Sequence, residues 1–163
     1  MNQTLSSKHN SRLSIDDPIV LLKNEHTNLL GQIHLLESHG VTPEKAGNVL
    51  KTLLRDSQVH FKREAIVLEA LGPMLGAGGE SLEALKKEHR QLKKTATTLL
   101  KHITRLEHQS KLWGEAHLRP LLQGFTKQFR SHIQHEEKVV YVLVRTRLTL
   151  EQQGRIAHQM LTE

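Results

Sequence analysis

Apolar residues recur at alternating steps of three and four through four long segments of this 163-residue chain. That spacing places them on one stripe of an α-helix, and a helix with one apolar stripe must bury it against others. The first stripe reads Ile19, Leu22, His26, Leu29, Ile33, Leu36, and the second Ala46, Leu50, Leu53, Ser57, His60, Glu64, Val67, Leu71. The third reads Leu82, Leu85, His89, Leu92, Ala96, Leu99, Ile103, Leu106, and the fourth Leu118, Leu122, Phe125, Phe129, His132, Glu136, Val139, Leu143. Proline and glycine punctuate them. Asp17 and Pro18 supply a cap and a first helical residue, and Gly40 is the expected end of that helix. Thr42 and Pro43 repeat the device for a second helix expected to reach Leu71, ahead of the break "GPMLGAGG". Ser81 is the expected cap of a third helix running to Gln109. A fourth is expected from Trp113 to Thr146, with Pro120 as its true start or a kink. Thr149 and Gln152 open a short fifth helix as a capping box.

Four long helices with short connections give an antiparallel up-down-up-down bundle. The expected fold is therefore all-α, a four-helix bundle with a short C-terminal fifth helix. Residues 1–14 are polar and expected to form a disordered arm, residues 15–147 the bundle, and residues 148–163 a short helix packing on it.

Composition excludes several functions. The chain has no cysteine, which removes disulfides, thiolate metal sites and cysteine redox chemistry, and fits a cytoplasmic protein. The opening lacks the apolar region of a signal peptide, and no apolar run is long enough to span a membrane. The net charge of +6 raises the question of nucleic acid. The positive residues are spread along the chain, however, and the densest run, "KKEHRQLKK", also carries Glu88 and part of an apolar stripe. It reads as a solvated helix face, so no nucleic-acid partner is expected. No glycine-rich phosphate loop follows a strand, and no nucleophile triad can be argued from the pattern.

All four stripes break in the same way. Each is apolar except for one histidine, a glutamate four residues further on in the second and fourth helices, and Ser57. The levels agree as well. His26 and His89 each lie about eight residues into their helices, and His60 and Glu64 lie about eleven and seven before the end of theirs. At a rise of about 1.5 Å per residue, His132 and Glu136 fall in the same slab. A lone interior histidine is usually a satisfied core residue, and a lone His-x-x-x-Glu is common by chance. Four helices that agree on one level are not explained that way. Two buried carboxylates without partners would each cost several kcal/mol or be forced neutral. A pair of divalent cations supplies the missing charge. The candidate metal ligands are thus His26, His60, Glu64, His89, His132 and Glu136.

The segments "NEHTNLL", "HFKREAIVLEALGP", "KEHRQL" and "HIQHEEKVVY", in this order on four helices, resemble the hemerythrin-like, or HHE cation-binding, family over Ile15 to Arg147. The resemblance implies a bundle around a non-haem site of two iron ions joined by an oxo or hydroxo bridge. Both glutamates would be shared and the histidines would complete each side; manganese or zinc are alternative metals. Oxygen-carrying members have a further histidine where this chain has Lys93, and an aspartate where it has Glu137. Stripe phase favours Glu136 as the ligand, because Glu137 lies about 100° further round. The four-histidine, two-glutamate set is closer to the hemerythrin-like domains of iron–sulfur-cluster repair proteins.

Each iron would keep an open position for a small diatomic or peroxide ligand. The leading expectation is a di-iron protein that binds or reacts with dioxygen, nitric oxide or peroxide in sensing or stress protection. The alternatives are an iron store or donor for damaged iron centres and a metal-free structural bundle. Among other residues, His135 lies about 60° from His132 and could stand near the site. Tyr141 falls off the interior stripe and is expected at the surface or packed on a flank, and Trp113 at the bundle end. Glu37, Glu88, His34, His39, His102, His108, His117 and His158 are expected to face solvent.

Overall fold

The computed structural model describes residues 16–75, 79–108 and 114–162; the expected disordered arm and Trp113 lie outside them. Five helices follow in order: α1 Pro18–Glu37, α2 Pro43–Leu75, α3 Glu80–His108, α4 Gly114–Arg147 and α5 Leu150–Thr162. There is no strand among the described residues. The caps act as the sequence requires. Asp17 accepts from the Ile19 amide at 3.0 Å, and Thr42 Oγ1 from the Lys45 amide at 3.2 Å. At α5 the Gln152 amide donates to Thr149 Oγ1 while the Thr149 amide donates to Gln152 Oε1, a reciprocal capping box.

The boundaries differ from expectation at several ends. α1 stops at Glu37, where the extended Ser38 closes it. Gly40, three residues on, takes φ +70°, a left-handed conformation that a residue with Cβ rarely adopts. α2 runs on to Leu75 through Pro73. Pro73 and Glu69, whose carbonyl its ring disturbs, are both exposed, so water can serve the freed group. α3 begins at Glu80, which puts Ser81 inside the first turn rather than at the cap. Pro120 likewise lies within α4, not at its start.

α1–α2, α2–α3, α3–α4 and α4–α1 are neighbours, and α5 packs on α1 and α2. The apolar core is in two parts. One cluster holds Leu29, Ile33 and Leu36 of α1, Leu50 and Leu53 of α2, Leu92 and Ile103 of α3, and Phe125 and Phe129 of α4. The other holds Ile19, Leu22, Val67, Leu71, Leu82, Leu85, Val140 and Val144, with Ile156 and Met160 of α5. α1 and α3 run from the second cluster to the first and α2 and α4 run back, which is the up-down-up-down arrangement. None of the described helices is long and apolar enough to cross a membrane.

Candidate metal centre

Between the two apolar clusters lies a polar layer. His26, His60, Glu64, His132 and Glu136 are buried in it, and His89 nearly so. Each reaches the layer because it stands on its helix's inward stripe, so these six residues are brought together. Two groups form. His26, His60 and Glu136 can hold one metal ion and Glu64, His89 and His132 another, the candidate ligand atoms of each group lying within 4.8 Å of one another. Glu136 Oε2 is the point of convergence, 3.1 Å from His26 Nε2, 3.3 Å from His60 Nε2 and 3.9 Å from His132 Nε2 of the other group. His89 Nε2 lies 2.7 Å from Glu64 Oε2 but is not aligned for a hydrogen bond. Both oxygens of Glu64, Oε1 of Glu136, and Nε2 of His89 and His132 are buried without a hydrogen-bond partner.

Buried polar atoms without partners are rare and costly. Here five gather in one layer, and all are oxygens or imidazole nitrogens that can donate to a cation. The residues therefore fit a metal pair.

Electrostatics in the metal-free chain show how hard the layer is to neutralise alone. Burial opposes a charged His60, but its bonds to Glu136 and Glu25 outweigh that and push its pKa up to about 10. Glu136 loses to burial and gains more from the His26 and His60 contacts, which hold it well below the usual carboxylate range. Glu64 goes the other way, raised by burial and by the Glu136 charge. Burial lowers His132 to about 4. The charged forms of His60 and Glu136 thus support each other, whereas burial works against charge on Glu64 and His132.

A ring of outer contacts orients the imidazoles. His60 Nδ1 donates to Glu25 Oε2 at 2.9 Å, and Glu25 is itself held by Arg63. His132 Nδ1 lies 2.9 Å from Glu88 Oε2, and His26 Nδ1 3.0 Å from Glu137 Oε1. Each acid is the sequence neighbour of an inner residue, yet it serves the histidine of the next helix round the bundle. The fourth such position is Phe61, beside His60, whose ring stacks on His89 at 3.9 Å. Glu88 is therefore not simply external: it also accepts from His135 Nδ1 at 2.9 Å. His135 stands outside the layer and touches it through Glu88.

Tyr141 corrects the expectation of a flank position. It is buried, its hydroxyl lies 3.0 Å from His26 Nδ1, and its ring stacks on His26. Burial and the charge of Glu136 raise its pKa. Ser57 is buried and donates to the Leu53 carbonyl, a satisfied core hydroxyl rather than a member of the layer. His34, His39, His102 and His158 are exposed, as expected, while the side chains of His108 and His117 lie outside the described residues.

Residues 17–144 match the hemerythrin HHE cation binding domain. The chain belongs to that family. Neither the curated proteins nor the solved structures give a significant match. The hemerythrin match covers α1, α2 and α3 and most of α4, and it contains every residue of the polar layer.

Proposed function

We propose that this hemerythrin-family chain is a non-haem di-iron protein that binds or reacts with a small oxidant (dioxygen, nitric oxide or peroxide) in sensing or stress protection. The observation that carries the reading is the set of five buried, unpartnered donor atoms in one layer. In this reading His26 and His60 hold one iron, His89 and His132 the other, and Glu64 and Glu136 are shared. The convergence of three imidazoles from both groups on Glu136 Oε2 supports the sharing of Glu136. A nitrogen and oxygen donor set without sulfur suits iron, with manganese or zinc as alternatives.

Two irons so held would supply one-electron redox chemistry and open positions for a small ligand. The chain's own residues do the rest. Glu25, Glu88 and Glu137 fix the imidazoles through Nδ1, which leaves Nε2 turned inward. The two apolar clusters exclude water above and below. Lys93 is exposed on α3 and adds no donor, consistent with incomplete protein ligation. The test is the purified full chain after iron loading under anaerobic conditions. Close to two irons per chain, and an iron-centred absorption that changes on admission of air, nitric oxide or peroxide, support the reading. Iron well below one per chain, or an unresponsive spectrum, sinks it.

An iron store or donor is the second reading. It is favoured by the partial exposure of His89, the one layer histidine flanked by Phe61 in place of a carboxylate. Transfer of iron to a metal-free acceptor, faster than any reaction with oxidant, would select it.

A further inference from the structure

The polar layer is closed on one side and open on the other. The His26 and His60 side chains are 2% and 1% exposed, covered by Tyr141, Glu137 and the Glu25–Arg63 pair. On the opposite side the His89 side chain is 13% exposed. A cleft of about 380 Å³ between α3 and α4 reaches that side, with Glu88 and His132 on its inner wall and Lys127 among its outer residues. Glu88 joins the layer to solvent. One of its oxygens meets His132 Nδ1 and the other His135 Nδ1, each at 2.9 Å, and the Glu88 and His135 side chains are both 36% exposed. His132 is itself buried, and its Nε2, with no hydrogen-bond partner, is one of the candidate donors grouped with Glu64 and His89.

Three side chains able to bind a metal therefore stand in line from the surface to the layer. We propose that Glu88 and His135 capture a hydrated divalent cation at the α3–α4 cleft and hand it to His132, making this cleft the loading path for the Glu64–His89–His132 half of the centre. The half-exposed carboxylate and imidazole can replace waters of the cation without being stripped of their own solvent. His132 presents Nδ1 to the capture pair and Nε2 to the layer, so movement of one ring spans the last step. Lys127 opposes the approach of a cation by its charge. On the other side Glu137, 42% exposed, meets His26 Nδ1, but among the described residues no exposed imidazole is bonded to it, and Glu25 is bound to Arg63, whose positive charge disfavours a cation there.

The proposal rests on the reading of the six layer residues as a metal centre, and the test separates the two. Metal-free full-length protein is mixed rapidly with cobalt(II), and uptake is followed by visible absorption, with ions per chain counted at saturation. His135→Asn should slow uptake about 3- to 10-fold and leave the saturation count unchanged. Lys127→Glu should speed uptake about 2- to 3-fold at low salt and lose that gain at high salt. Lys101→Glu, the same charge change at an exposed position outside the cleft, should not share the gain. Wild-type rates in His135→Asn, or equal gains from Lys127→Glu and Lys101→Glu, overturn the loading path while two ions still bind. No cobalt uptake by the wild-type chain overturns the metal centre and the path together.

Discussion

Glu25, Glu88 and Glu137 share a position that a single helix hides. Each lies about 100° round its helix from an inner residue, which on one stripe reads as outward. In a bundle that flank faces the neighbouring helix, and each carboxylate reaches the imidazole there. Replacing Glu25 by Gln keeps the shape and removes the charge that holds His60 and Arg63. Metal affinity, measured by competition with a chelator, should fall about 10- to 100-fold, and an unchanged affinity would remove Glu25 from the account. The pKa values make a second prediction. His60 is raised from 6.5 to about 10, so its proton favours the metal-free fold fully below pH 6.5, and that contribution is lost as pH rises through 10. His132 is lowered from 6.5 to about 4, so its contribution is present above pH 6.5 and lost as pH falls through 4. Denaturant midpoints of the metal-free chain should therefore decline toward both ends of that range. Metal binding at pH 8 must also displace the His60 proton, and an indicator dye in weak buffer should register its release. The six inner residues were legible because each breaks an apolar stripe; their outer partners were not, because their role depends on how adjacent helices are turned.

At the scale of elements, α4 explains the error over Tyr141. A stripe continued through Val139 and Leu143 leaves Tyr141 outside. The structure instead buries Val140 and Val144 completely. His132, Glu136, Val140 and Val144 are separated by successive four-residue steps, each of which turns the inward face by about 40°. Tyr141 then lies about 60° from Val144 and comes in over His26. Sequence spacing alone does not choose between a three- and a four-residue step where both positions are apolar. The junction of α4 and α5 depends on Gln153, which is buried. Its Nε2 donates to the Leu148 carbonyl at 2.9 Å, and its Oε1 accepts from Arg145. Gln153→Ala should destabilise the chain by about 1–3 kcal/mol in urea titration. A change under a few tenths of a kcal/mol would mean the junction is held by apolar packing alone. The start of α5 was legible from Thr149 and Gln152, whereas Gln153 gave no signal because a polar residue on a short helix reads as solvated.

The whole molecule is two apolar clusters separated by a layer that does not satisfy itself. The up-down-up-down order and the common level of the layer follow from helix lengths and short connections, which is why they could be read from sequence. The pairing of His60 with Glu136, and the cost of charge on Glu64, could not, since both depend on distances of about 3 Å between helices. Because metal would bind the folded chain and not the unfolded one, loading should raise stability. At a free-metal concentration about 100 times the dissociation constant the gain is about 2.7 kcal/mol, and removal by chelator should reverse it. His60→Ala should abolish most of that gain; a variant that still gains as much as the wild type would favour the purely structural bundle. The most direct test of the central claim is a crystal structure of the iron-loaded chain with anomalous diffraction at the iron edge. Two peaks are expected in the layer, one beside His26 and His60 and the other beside His89 and His132, with Glu64 and Glu136 between them. No peak in the layer, or iron held only by side chains outside it, would contradict the account.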